Sequence, residues 1–238
     1  MERCNMHFLG CGNSHSYELG NSCAVFSSGE CELVIDFGFT AFHAFKSSYR
    51  KSPSAIFITH AHLDHIGGLE NLFFDTYFND NEPIKLYVPT TLIPLLHQKL
   101  GSIDHTLAEG GANFWDAFQL IPVSDSFWHE GIKFRLFENR HHQPGFSYGI
   151  SVPGKFLYSG DTKPIPEIIN YHASQGEMIF HDLSLSEQPS HTHINELDCY
   201  TENVLSRCVF YHLSNKDAVD ECKRRGLNVV SPNSTFTL

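Results

Sequence analysis

Four side chains able to bind a metal ion fall within six consecutive residues, His60-Ala61-His62-Leu63-Asp64-His65. Neutral imidazole nitrogen together with carboxylate oxygen suits zinc or another borderline first-row divalent cation. Ahead of them runs Ala55-Ile56-Phe57-Ile58-Thr59, an apolar, β-prone segment expected to be a buried strand. Behind them Ile66-Gly67-Gly68-Leu69-Glu70 reads as a turn into a helix over 69–78. The four ligands therefore belong on a strand-to-helix loop, aimed by rigid elements and reachable by water. His60 and His62 share one side of an extended segment and suit one ion. Asp64 and His65 follow the turn and suit a second. A lone histidine here would be an ordinary surface residue, but four ligands after a buried strand read as a metal site. The spacing also differs from the helical His-Glu-x-x-His pattern.

The elements that must position these residues follow from patterning. Strands are expected near 5–10, 22–27, 32–36 and 55–59, with a helix over Thr40 to Arg50 whose apolar side carries Phe42, Phe45 and Tyr49. After the metal loop come a helix, a strand from Ile84 to Val88, and a helix opened by Pro89-Thr90. Further strands are expected near 118–122, 132–137, 146–152, 155–159, 177–181 and 208–212, and helices at 166–173, 195–206 and 215–225. The 238 residues carry no linker, low-complexity tract or repeat, so one domain spanning 1–238 is expected. The 20 phenylalanines are assigned mainly to its core. Core packing is likewise preferred to base stacking for Trp115, Phe127 and Trp128. No signal peptide is expected in Met1 to Gly10, and no stretch approaches the ~20 apolar residues of a membrane span. Seven cysteines, an odd number without Cys-x-x-Cys spacing, suggest reduced thiols and a cytoplasmic location. Gly10-x-Gly12 lacks the third glycine of a dinucleotide-binding turn. Asn13, Ser14 and His15 in that loop read either as phosphate contacts or as turn residues. Lys plus Arg number 16 against 27 Asp plus Glu, and a net charge of −11 repels extended nucleic acid.

The His-x-His-x-Asp-His stretch resembles the metallo-β-lactamase superfamily, and three further motifs follow in that superfamily's order. His141 with Pro144 three residues on resembles its third motif, His142 being the neighbouring competitor. Tyr158-Ser159-Gly160-Asp161-Thr162 resembles its Ser-Gly-Asp-Thr motif. Cys208-Val209-Phe210-Tyr211-His212 resembles its last, a short strand ending in His. The resemblance implies a four-layer αββα sandwich, and two divalent cations, zinc in preference and manganese as the alternative, about 3.5–4 Å apart. It places His60, His62 and His141 on the first ion and Asp64, His65 and His212 on the second, with Asp161 bridging. Asp64 is expected to share in catalysis as well. Asp36, the acidic end of a strand read over Leu33-Val34-Ile35-Asp36-Phe37-Gly38, is expected to orient a ligand or cap a turn rather than bind metal. His62 stands where the related flavodiiron proteins carry an acid, which favours hydrolysis over redox chemistry.

His181-Asp182-Leu183-Ser184 and the later His191-Thr192-His193 narrow the branch. They resemble the His-Glu-Ala-Thr stretch and downstream histidine of the tRNase Z-like phosphodiesterases, with Asp182 in place of Glu. That resemblance makes His191 the proton donor to a departing oxygen and Asp182 the acid that orients it, His193 being the runner-up. The compact chain is most similar to anti-Pycsar phosphodiesterases, which open 3′,5′-cyclic nucleotides to nucleoside monophosphates against antiphage signalling. This implies a small phosphodiester substrate, a homodimer in which one subunit helps to close the other's pocket, and a host cytoplasm if phage-encoded. A tRNase Z-like RNA endonuclease, a lactonase or another small-molecule metallo-hydrolase would use the same ions. A non-enzymatic metal- or nucleotide-binding protein is the alternative of a different class.

Overall fold

The structure, a computed structural model, describes residues 3–79, 82–102 and 112–238. The chain opens on three antiparallel strands, β1 (Cys4–Gly10), β2 (Cys23–Ser28) and β3 (Cys31–Ile35). Helix α1 (Ala41–Tyr49) leads to β4 (Ala55–Phe57), which pairs parallel with β3. Two helices follow, α2 (Leu63–Ile66) and α3 (Leu69–Asn79), then β5 (Ile84–Pro89). A 3-10 turn (Thr90–Leu92), helix α4 (Ile93–Leu96) and a π turn (His97–Gly101) come next, and after a second 3-10 turn (Phe114–Ala117) the sheet gains β6 (Phe118–Val123). The second half contains β7 (Ser126–His129), β8 (Ile132–Glu138), β9 (Tyr148–Val152), β10 (Phe156–Tyr158), α5 (Pro166–His172) and β11 (Met178–Asp182). It ends with a 3-10 turn (Ile194–Cys199), α6 (Glu202–Leu205), β12 (Cys208–Tyr211), α7 (Lys216–Arg224) and β13 (Thr235–Thr237).

Two sheets result, ordered β13-β1-β2-β3-β4-β5-β6 and β12-β11-β10-β9-β8-β7. Strands inside such a sandwich are covered on both faces, so they read as unbroken apolar runs. Every residue of β4, β9, β10 and β12 is accordingly buried. Aromatic rings join the sheets: Phe8 lies 5.1 Å from Phe180, Phe26 lies 5.2 Å from Phe156 and 5.5 Å from Phe134, and Phe57 stacks on Phe127 at 5.9 Å. Burying each ring contributes about 1.5–3 kcal/mol, so this inter-sheet layer is the main store of stability behind the site. Among the described residues no two cysteines are joined in a disulfide, and no helix is long and apolar enough to cross a membrane.

Some expectations need correction. The helix read over 195–206 is two short pieces, broken at Tyr200-Thr201, where the Thr201 hydroxyl caps α6 by accepting from Val204 N–H. The segment opened by Pro89-Thr90 passes through a 3-10 turn and ends as a π turn. Strand β13, absent from the expected strands, pairs with β1 and so joins the C-terminal end of the chain to the first sheet. Trp128 belongs to the outer edge strand β7 and is 65% exposed, so it serves no core. The paired glycines Gly110 and Gly111 lie outside the described residues.

Candidate metal centre and active site

Six connections leave the strands at one end of the sandwich, and each delivers a polar side chain to the same place. Asp36 follows β3, His60 to His65 follow β4, His141 follows β8, Asp161 follows β10, Asp182 ends β11 and His212 follows β12. Gly38 allows the metal loop to lie against the loop after β3, since a Cβ there would sit 1.8 Å from the Asp64 carbonyl oxygen. Gly160 adopts φ +64°, a conformation that costs glycine little and turns the chain so that Asp161 points inward. His212 takes φ +69° without being glycine, and its backbone N–H is held by the Cys11 carbonyl at 2.7 Å. Such a conformation strains an ordinary residue and persists where the surroundings fix it.

Two ligand groups form. The first gathers His60, His62, His141 and His142, the second Asp64, His65, Asp161 and His212. His62 Nδ1 lies 3.1 Å from His60 Nε2 and 3.2 Å from His141 Nε2. The Asp161 carboxylate stands between the groups, its Oδ2 3.8 Å from His60 Nε2, 3.2 Å from His65 Nε2 and 3.1 Å from His212 Nε2. All seven residues assigned to metal from the sequence thus converge, and His142 joins them from a more exposed position.

The outer contacts turn the imidazoles the right way. His141 Nδ1–H donates to the Ser190 carbonyl and His65 Nδ1–H to Asp36 at 2.7 Å. The Thr59 hydroxyl donates to Asp36, so it accepts from His60 Nδ1–H. In its neutral form each of these rings then presents a bare Nε2 lone pair inward, the tautomer a metal requires. Asp36 also accepts from Thr59 N–H, which fits it as an orienting group.

Burial holds His60 far below its usual range, and burial with the neighbouring His141 takes His62 down to about 4. Burial lowers His141 too, so the first group is neutral at pH 7, as ligands must be. In the second group burial opposes charge but is outweighed by the acids. Asp161 and Asp36 hold His65 well above its usual range, and Asp161 and Asp182 lift His212 to about 10. Against burial, His212 and His65 bring Asp64 down to about 2. His65 Nε2, His212 Nε2 and Asp161 Oδ1 are nonetheless buried without a hydrogen-bond partner. Orphaned buried ligand atoms demand an explanation, and a cation bound in place of the ring protons supplies one for this second group. The donor set fits the pair of divalent ions.

A histidine–carboxylate pair lies beside this centre. His191 Nδ1–H donates to Asp182 Oδ2 at 2.8 Å, and its ring stacks on His212 at 4.9 Å and tilts against His141 at 4.8 Å. Its side chain is 12% exposed, and Asp182 raises its pKa against the effect of burial. Asp182 is fully buried, accepts from Thr162 N–H at 2.8 Å, and faces His212 Nδ1 at 3.4 Å. His193 does otherwise: it caps the Ile194–Cys199 turn and contacts the Leu185 carbonyl. Asn13 and His15 form a turn, His15 N–H donating to Asn13 Oδ1.

Sequence reasoning missed Lys99, whose ammonium donates to the Ala61 carbonyl at 2.6 Å inside the metal loop. It also missed the double use of Asp182 by two histidines. An isolated lysine in a helical stretch gives no signal, and a carboxylate shared across 9 and 30 residues of sequence has no local pattern.

A family model described as Anti-Pycsar protein Apyc1 matches residues 4–236. The Anti-Pycsar protein Apyc1 of Paenibacillus harenae is 27% identical over 241 residues, covering 98% of this chain and 99% of that one. Among solved structures, the metallo-beta-lactamase fold protein YhfI from Bacillus subtilis superposes with a TM-score of 0.76 at 14% identity, covering 99% of this chain and 100% of its own. A diphosphatase from the PhnP family superposes with a TM-score of 0.80 at 17% identity, over 99% and 98%. The fold is the metallo-β-lactamase fold, with its two sheets packed face to face.

Proposed function

The chain belongs to the Anti-Pycsar protein Apyc1 family, and from that premise we propose that it is a dinuclear metal-dependent phosphodiesterase that opens 3′,5′-cyclic nucleotides to nucleoside monophosphates. The observation that carries this reading is the convergence of the two ligand groups on Asp161, with His191 leaning over them from Asp182. Two zinc ions, or manganese in their place, would be held by His60, His62 and His141 and by Asp64, His65 and His212, with Asp161 between. When bound, such a pair supplies Lewis-acid charge for the phosphoryl oxygens and makes water a nucleophile near neutral pH.

The residues of the chain do the rest. Asp64, ionised and buried among the ligands, orients the attacking water by accepting one of its hydrogens. As the water oxygen bonds to phosphorus, the phosphorus–oxygen bond of the ring breaks, and His191 gives its proton to the departing oxygen. Asp182 keeps the His191 ring in place and its Nδ1 protonated, so the proton leaves from Nε2. The water's surplus proton passes to solvent, which balances the step. A second copy of the chain is the expected partner, since Phe39 and Leu63 are exposed together beside Gly67 near the metal loop. The acidic balance favours a small substrate over RNA, and the family's name suggests work in a host cytoplasm against cyclic-nucleotide signalling.

The test is a panel of the four cyclic mononucleotides, cyclic dinucleotides, a bis-aryl phosphate and a precursor tRNA. Zinc- or manganese-loaded protein should release nucleoside monophosphate from a cyclic mononucleotide, and His62→Ala should not. Nucleotide bound but left intact would make this a sequestering protein, and cleavage of the precursor tRNA alone would make it a nuclease.

A further inference from the structure

Beside the metal centre lies a cleft of about 480 Å³ that opens onto His62 and His142. Its size falls within the range of small-ligand pockets. Its walls come from α4 and the π turn on one side, carrying Leu95 and Lys99, and from the turn after β8 on the other, carrying Gln143 and Phe146. Phe146 is 38% exposed in a chain whose phenylalanines are mostly buried. An accessible ring next to a polar centre is a surface for a flat apolar partner.

Both walls are fixed in place before any ligand arrives. The Lys99 ammonium is tied to the Ala61 carbonyl, between two of the metal-binding histidines. The π turn is braced where Trp115 Nε1–H donates to His97 Nδ1 at 3.1 Å. The opposite turn is held where the Thr91 hydroxyl and the Tyr148 hydroxyl both meet the Gly145 carbonyl. A lysine has three N–H donors, and a glutamine amide both donates and accepts, so this rim matches the mixed polar edge of a heterocycle. Preformed walls with an apolar plate and a few polar groups are how small aromatic ligands are oriented.

We propose that this cleft is the nucleobase subsite: the base lies on Phe146 against Leu95, its edge read by Lys99 and Gln143, while its phosphodiester reaches the metal centre past His62. This inference rests on the phosphodiesterase reading and adds the determinant of base recognition, supplied by the same chain as the metal ligands.

The experiment compares a 3′,5′-cyclic nucleotide with the abasic ribose 3′,5′-cyclic phosphate, using metal-loaded protein. The readout is the ratio of their kcat/KM values, with KM and kcat separated. Phe146→Ala should lower that ratio about tenfold or more, mainly through the KM of the nucleotide, in line with ~1–3 kcal/mol per base–aromatic stack. Phe146→Tyr should restore it, and Lys99→Met with Gln143→Ala should change the order of preference among the four bases. Tyr171→Ala, another exposed ring (76%) outside the cleft, should leave the ratio at the wild-type value. A ratio and base order unmoved by the cleft variants would overturn the subsite while the phosphodiesterase stands. Wild-type protein that hydrolyses neither compound would overturn both.

Discussion

Replacing His191 by alanine separates the proposed proton donor from the metal centre it overhangs. His191 is hydrogen-bonded to the site through Asp182, by the 2.8 Å bond at Nδ1, and otherwise lays its ring on His212 and His141. His191→Ala should therefore leave metal content unchanged and remove general-acid assistance alone. Such assistance is worth about 10²–10⁴-fold, or roughly 2.7–5.4 kcal/mol at 1.36 kcal/mol per tenfold. That loss should appear in kcat for a cyclic nucleotide, whose leaving group is a poorly stabilised alkoxide. A bis-aryl phosphate loses a phenolate that needs no proton, so its kcat should fall by less than about tenfold. Asp182 supplies an independent check through pH. It raises the His191 pKa, and the protonated ring is the active form, so activity falls as pH rises through that value. Asp182→Asn should move the falling limb of kcat to lower pH. Equal losses for the alkyl and aryl substrates in His191→Ala would refute the proton-donor role. So would an unmoved limb in Asp182→Asn.

Four further outcomes follow from the same geometry. Asp36→Asn removes the charge and one of the two oxygens that hold Thr59 and His65 Nδ1–H, and should weaken metal binding about 10–100-fold, read by titration with zinc against a competing chelator. Gly38→Ala drives a Cβ into the Asp64 carbonyl, and a melting curve should show a loss of about 1–3 kcal/mol or more together with a lower metal content. In metal-free protein the raised His212 pKa contributes stability that is complete below its unfolded value near 6.5 and is lost as pH climbs towards about 10. The Tm of metal-free protein should consequently fall over that window, with metal loading at pH 8 releasing protons into a weakly buffered solution. Phe8→Ala, in the layer joining the sheets, should cost about 3–5 kcal/mol by denaturant unfolding, with little change in metal stoichiometry in the protein that remains folded.

Much of this site was legible because its ligands are announced locally. A buried strand ending in His-x-His-x-Asp-His needs no distant information, and neither does Ser-Gly-Asp-Thr after a short apolar run. Asp36 could be read as an orienting group because it ends a strand in the same way. The remainder depends on contacts that sequence distance conceals. Strand β7 is four residues long, too short for its alternation to stand out, although that alternation does turn Phe127 inward and Trp128 outward. Strand β13 is short and exposed, and pairing with β1 is what makes it a strand. The break at Tyr200-Thr201 has a tertiary cause as well, because the Tyr200 hydroxyl is held by Ile165 N–H and by His181. His191 and His193 have identical chemistry two residues apart, and the backbone path alone sends one to Asp182 and the other to a helix cap.

The most direct test of a two-cation centre is the metal content of purified, zinc-equilibrated protein, measured per chain for the wild type and for Asp161→Ala. The wild type should hold about two equivalents, and the loss of the shared carboxylate should remove at least one of them along with hydrolysis. Wild-type protein that takes up no transition metal at any accessible concentration, or that hydrolyses a cyclic nucleotide in excess chelator, would contradict the account.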